Sequence, residues 1–201
     1  MGQPVFSIGH STHSVEHLLG LLKQHSITAI CDVRSQPYSR MNPQFNREPL
    51  RDALRAEGIA YVFLGKELGA RSEDRSCYRD GQVQYDLLAA TDSFRQGLKR
   101  VREGSEKYRV ALMCAEKDPL QCHRTILVSR HLVVEGMDVC HILADGTVEP
   151  HEKSIDRLMN QLRLPQSDMF RSKEEIVADA YRIQGEAIAY EEKSTEASGA
   201  A

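Results

Sequence analysis

Short apolar runs of strand type alternate with stretches of helical periodicity along most of this chain. That alternation predicts an α/β fold: three layers, a mostly parallel five-stranded sheet with helices on both faces, and further helices at the C-terminal end. The second strand run, Ile27 to Val33 (ITAICDV), is continuous in apolar character, like a strand covered on both faces. Polar clusters follow three of the strand runs. In an open parallel sheet, the carboxyl ends of the strands are where ligands bind.

In chain order, Pro4 to Ile8 (PVFSI) reads as the first strand. Ser14 is a good N-cap for a helix whose apolar face is Leu18, Leu19, Leu21 and Leu22. With Ile27 to Val33 this makes a strand–helix–strand unit, which in one sheet implies parallel strands and a right-handed crossover. Residues 35–47 (SQPYSRMNPQFNR) hold two prolines and read as a loop. Pro49 suits the first turn of a second helix, carrying Leu50, Ala53 and Leu54 and closed by Gly58. Ile59 to Leu64 is the third strand.

Gly65 to Gly81 is irregular and polar, of a length that marks functional or mobile loops. Val83 to Gly104 is helical with a break near Thr91-Asp92-Ser93. The fourth strand, Arg109 to Met113, opens the densest stretch of the chain, YRVALMCAEKDPLQCHRTILVSRHLVVE (108–135), and an amphipathic helix follows from Thr125. Gly136 ends that helix, Met137 to Leu143 is the fifth strand, and Asp145-Gly146 is a turn. Glu152 to Leu162 reads as a surface helix, Pro165 to Ser172 as a linker and Lys173 to Glu191 as a helix. Glu192 to Ala201 reads as a disordered tail. The expected division is an α/β domain over 1–150 and a helical extension with that tail over 151–201.

The 201 residues are 41% hydrophobic and 27% charged, ordinary values for a globular protein, and the net charge of −3 supplies no global field toward nucleic acid or membrane. Any basic site is therefore a local patch. No apolar run approaches the roughly 20 residues that span a bilayer, and MGQPVFSIGH has no signal-peptide pattern. Five cysteines without framework spacing suit reduced thiols and a cytoplasmic location.

The three clusters carry the candidate chemistry. Gly9-His10-Ser11 can cradle an anion on free N–H groups, or can be a tight turn with Ser14 capping the helix. Gly9 implies a positive φ or a close backbone approach. Asp32 and Arg34 share one strand face, where Asp32 can orient a histidine, accept a proton or simply pair with the arginine. Arg34, Arg40 and Arg47 form a basic patch with no acid from Val33 to Arg47, and their forks match phosphate or carboxylate. Cys114, ending a strand and facing a helix start, is expected to have a lowered pKa and to act as nucleophile. Glu116, His123, His10 and Asp32 are the candidates for moving protons. Arg124 stands at a helix N-terminus that disfavours a cation, so a bound anion there would explain it. Cys31 and Cys140 read as core, and Cys77 as incidental in a polar loop.

Metal is a competing account. Cys114, Cys122, His123 and His10 make a Cys2His2 set, but without the paired spacing of structural zinc, and no tightly bound structural zinc is expected.

With IGHS, DVRSQPYSR, Phe45, YVFLGKELG and MCAEKDPLQCHR on the page, the chain is similar to the domain-of-unknown-function family numbered 488, over roughly Val5 to Pro150. The MCAEKDP…CHR block is the most specific part, and the C-terminal helix ending in IAY shares the likeness. The resemblance implies a three-layer α/β domain of bacterial or archaeal type and supplies no reaction. A weaker analogy is with cysteine phosphatases and rhodaneses, although Arg124 lies ten residues beyond Cys114, twice the phosphatase interval. Two functions fit the residues. One is an enzyme, a hydrolase or transferase, for a phosphorylated or nucleotide-like substrate, with Arg34, Arg40 and Arg124 on the anion and no cofactor named by the sequence. The other is a nucleic-acid-binding module in which the arginines, Tyr38 and Phe45 grip backbone and base.

Overall fold

The computed structural model describes residues 3–192. At its centre two strands lie side by side: β1 (Val5–Gly9) pairs in parallel with the strand Val110–Cys114. Between them in sequence come α1 (Val15–Gln24), β2 (Ala29–Asp32), α2 (Arg47–Ala56), β3 (Ala60–Phe63) and the short α3 (Gly65–Leu68). A hairpin of β4 (Tyr78–Arg79) and β5 (Gln82–Val83) follows, then α4 (Tyr85–Ala89) and α5 (Asp92–Ser105). Val110–Cys114 is therefore β6. After it come a π-helical segment, Arg124–Ser129, that runs into α6 (Arg130–Val134), then β7 (Val139–Ile142), β8 (Val148–Pro150), α7 (His151–Gln161) and α8 (Lys173–Ile188).

The sheet order is β3-β2-β6-β1-β7-β8. Five strands are parallel, as expected, and the sixth is a correction: β8 runs antiparallel on β7 at the edge. Its three residues follow directly on the Asp145-Gly146 turn, too short a run to show a period.

Side chains alternate across the sheet and build two cores. On one face Ala29, Cys31, Val110, Leu112 and Cys114 meet Phe94, Leu98 and Val101 of α5 and Leu127 and Leu132 beyond β6. On the other, Phe6, Ile8, Ile30, Ala111 and Met113 meet Leu18, Leu21 and Leu22 of α1 and Leu50 and Leu54 of α2. Ser14 caps α1 by accepting from His17 N, and Thr91 caps α5, which accounts for the break between α4 and α5. Gly58 and Gly136 close their helices at φ +70° and +82°.

Three local expectations change. The stretch after β3 is more ordered than its polarity suggested, since α3 packs on α5 and Cys77 is buried in the first core rather than incidental. α7 is no surface helix: Ile155, Leu158 and Met159 form a third core with Leu120, Ile126 and Ile176, Ala180 and Tyr181 of α8. The last helix stops at Ile188, because the Tyr190 carbonyl accepts from Val83 N at 3.0 Å and draws the chain onto β5. The expected tail after Glu192 lies outside the described residues.

A buried polar chain ties the C-terminal helices to the sheet. Ser7 Oγ meets His141 Nδ1 at 2.7 Å, His141 Nε2 meets His151 Nδ1 at 3.0 Å, and His151 Nε2 meets the Tyr181 hydroxyl at 2.7 Å. Among the described residues no helix is long and apolar enough to cross a membrane.

Candidate functional site

The parallel strands bring the three clusters to one sheet edge, but strand parity divides them between the faces. Asp32 is paired in register with Met113, so the next residue, Cys114, points to the opposite face. On the Asp32 side the groups satisfy one another. Asp32 accepts from Arg34 Nε at 2.9 Å, from Arg34 Nη2 at 2.6 Å and from the Tyr61 hydroxyl at 2.8 Å. Arg34 Nη1 donates to His10 Nε2 at 3.2 Å, which places the His10 proton on Nδ1, donating to Ser11 O at 2.8 Å. Burial above all lowers the His10 pKa to about 4, and it stacks on buried Phe45 with ring centroids 4.3 Å apart. His10 and Asp32 are thus held together in an internal hydrogen-bond network. Arg34 alone of the three also reaches the neighbouring pocket.

The proposed anion cradle at the end of β1 is already filled by backbone. His10 N donates to Cys114 O and Ser11 N to Ala115 O, both at 2.9 Å. Gly9 is there for close approach: a Cβ on it would stand 1.9 Å from Glu116 O. The positive φ falls instead on Ser11, at 49°.

Arg124 is likewise tied to the protein's own backbone. It is fully buried, and its guanidinium donates to Glu116 O at 2.8 Å and Lys117 O at 3.3 Å. The carbonyls of the β6 loop, not a ligand, take the fork, while its Nε has no hydrogen-bond partner among the described residues. Its charge still acts through space on the sulfurs beside it. Arg40 and Tyr38 are exposed on the loop before α2, with the Tyr38 hydroxyl on Glu48 at 2.9 Å, and neither lines the pocket. Phe45, being core, cannot stack on a base.

What remains is a group of four side chains. Cys114 ends β6, and the Pro119–Gln121 turn returns the chain so that Cys122 and His123 face it. The Cys114 and Cys122 sulfurs and a His123 ring nitrogen lie within 4.8 Å of one another. His123 Nδ1 is 3.8 Å from Cys114 Sγ and 3.9 Å from Cys122 Sγ, while its Nε2 donates to Val33 O at 3.0 Å. That donation fixes the neutral ring with its Nδ1 lone pair toward the sulfurs. Cys122 Sγ stands 2.9 Å from Glu116 Oε2, where one proton is shared between them.

The electrostatics separate the two thiols. Hydrogen bonding to Cys122, with burial, pushes the Cys114 pKa well up. Burial resists ionisation of Cys122 too, but its bond from Cys114, the Arg124 charge and His123 together bring its pKa well below the usual thiol value. The lowered thiol pKa expected at Cys114 falls instead on Cys122. Burial works against a charged His123, yet Cys122 and Glu116 raise its pKa overall. Glu116 is exposed as a residue, but its carboxyl is tucked in, and burial and Cys122 raise its pKa. The neighbouring groups thus oppose the effect of burial at Cys122 and His123 and add to it at Cys114 and Glu116.

A pocket of about 290 Å³ opens over this group. Arg34, Arg71, Tyr85 and Tyr190 line it with the two cysteines. The Arg71 guanidinium lies 4.2 Å over the Tyr190 ring and donates to Gln36 Oε1 at 2.8 Å. Arg71, Tyr85 and Tyr190 were not found by sequence reasoning. Tyr190 belongs to the IAY ending already noted, and the other two gave no local signal. The same sulfurs and imidazole have the spacing and softness to take a divalent metal ion, whereas His10 is not part of that set.

Fold and site together define an α/β protein carrying a two-cysteine, one-histidine centre at the carboxyl edge of a mostly parallel sheet. Residues 14–131, more than half of the chain, match the family described as "Domain of unknown function DUF488", and the chain belongs to that family. No curated protein and no solved structure matches it.

Proposed function

We propose that this protein is a cysteine-dependent hydrolase or transferase for a small phosphorylated or nucleotide-like substrate. The observation that carries the reading is the convergence of Cys122 Sγ, Glu116 Oε2 and His123 Nδ1 on the wall of one pocket. The Cys122 sulfur bonds to the electrophilic phosphorus or carbon. The leaving group departs with the bonding pair and takes the proton held by His123. Water, deprotonated by the same imidazole, then releases the product and restores the thiolate. Arg34 and Arg71 supply positive charge for an anionic group, and Tyr85 and Tyr190 supply flat faces for a planar ring.

The test is intact-mass analysis after incubation with a panel of nucleotides and sugar phosphates. A covalent adduct on Cys122, absent in Cys122→Ser, supports the reading. Turnover by Cys122→Ser at the wild-type rate overturns it.

A further inference from the structure

Phosphoryl or glycosyl transfer needs one sulfur, and the pocket holds two. Cys114 and Cys122 are both unbridged, both line the pocket, and their sulfurs lie within 4.8 Å with one imidazole nitrogen under 4 Å from each. The other three cysteines, Cys31, Cys77 and Cys140, are outside this pocket. Cys114 is fixed by strand pairing at the end of β6, whereas Cys122 follows the short 3-10 turn Pro119–Gln121 and is not part of the sheet. A bond between them would close a ring of nine residues, from Cys114 to Cys122, at one edge of the fold.

We propose that Cys114 and Cys122 form a redox couple through which the protein reduces small hydroperoxides, ending in a disulfide between these two residues. The Cys122 thiolate attacks the terminal oxygen of the hydroperoxide. A sulfur–oxygen bond forms, the oxygen–oxygen bond breaks, and the alkoxide or hydroxide takes a proton from His123 and leaves as alcohol or water. Cys122 is then a sulfenic acid. The Cys114 sulfur attacks it, the sulfur–sulfur bond forms, and the hydroxyl leaves as water with the Cys114 proton. Two electrons pass from the thiol pair to the peroxide, and an external dithiol returns them by exchange. Cys122 is the peroxidatic sulfur and Cys114 the resolving one, because Cys122 Sγ lies 2.9 Å from Glu116 Oε2 and stands outside the sheet, whereas Cys114 is held within it.

This inference shares one premise with the proposed function, that Cys122 is the reacting sulfur, and differs in the electrophile. The experiment titrates the reduced full chain with hydrogen peroxide and cumene hydroperoxide, then counts thiols and maps peptides by mass. Two of the five thiols should be lost per peroxide, as one Cys114–Cys122 disulfide that dithiothreitol reverses. Cys114→Ser should stop at a sulfenic acid on Cys122, trapped by dimedone, and Cys122→Ser should keep its remaining thiols. If Cys122→Ser misfolds by circular dichroism, Cys122→Ala replaces it. A disulfide to Cys31, Cys77 or Cys140, a bridge between chains, or peroxide consumption by Cys122→Ser at the wild-type rate overturns the proposal. A nucleotide adduct on Cys122 without the disulfide overturns it while leaving the transfer reading standing. The disulfide without any adduct does the reverse.

Discussion

His123 Nε2 donates to the Val33 carbonyl at 3.0 Å, and this one bond aims the rest of the ring at both site cysteines. A strand end of β2 thereby sets the tautomer of a residue 90 positions further along the chain.

Cys122 should alkylate at lower pH than an ordinary thiol. Iodoacetamide labelling followed by peptide mass should give a midpoint for Cys122 below about 8.5, the usual thiol value, with Cys114 unlabelled over the same range. His123→Gln removes the imidazole that helps hold the thiolate and should move the Cys122 midpoint upward. An unchanged midpoint in His123→Gln would remove the imidazole from the account.

Arg124→Ala should damage the fold rather than ligand affinity. It leaves two loop carbonyls without their charged donor and empties a fully buried position. The expected loss is about 2–5 kcal/mol, read as a lower urea midpoint. Arg124→Lys should recover only part of it, since an ammonium cannot span both carbonyls as the fork does. Wild-type stability in Arg124→Ala would return this side chain to a ligand-binding role.

Gly9→Ala should also destabilise, by more than a surface substitution does. Its Cβ would meet a backbone oxygen at 1.9 Å, and Glu116 belongs to the loop that positions Cys122. Thermal unfolding and Cys122 labelling should shift together. A neutral Gly9→Ala would mean that the loop yields freely.

Stability should fall as the medium becomes acidic. Burial lowers the His10 and His151 pKa values to about 4 in the folded protein, against 6.5 when unfolded. The unfolded chain binds more protons between those limits, so stability is complete above about pH 6.5 and declines toward pH 4. Each histidine contributes up to about 3 kcal/mol over that window. Urea midpoints compared at pH 7.5 and 4.5 check it, and His151→Gln should flatten part of the slope. Equal midpoints at both pH values would contradict the buried neutral pair.

Chelation should leave the fold unchanged. Cys114 and Cys122 lie within the first core among many apolar side chains, and the other two cores contain none of the group. Elemental analysis of chelator-washed protein should show no stoichiometric zinc, with the melting temperature retained. One zinc per chain, lost in Cys122→Ser along with the fold, would make the centre a structural metal site.

The sequence by itself determined the parallel strands, the helices between them and the sheet edge on which the clusters meet. These follow from local periodicity, caps and the handedness of short crossovers, which need no knowledge of distant partners. It also singled out the dense segment Cys114–Arg124, whose two cysteines and histidine the fold draws together. The tertiary structure decided which of those residues share a space. Strand register put Asp32 and Cys114 on opposite faces, so a carboxylate legible as a proton acceptor became half of an internal ion pair with Arg34. Burial turned Arg124 from a ligand donor into a tie for its own loop. The bend after α8 carried Tyr190 to the pocket. The opposite pKa shifts of the two cysteines likewise came from tertiary contacts, because a thiol ionises according to groups a few ångströms away rather than to its position in a strand.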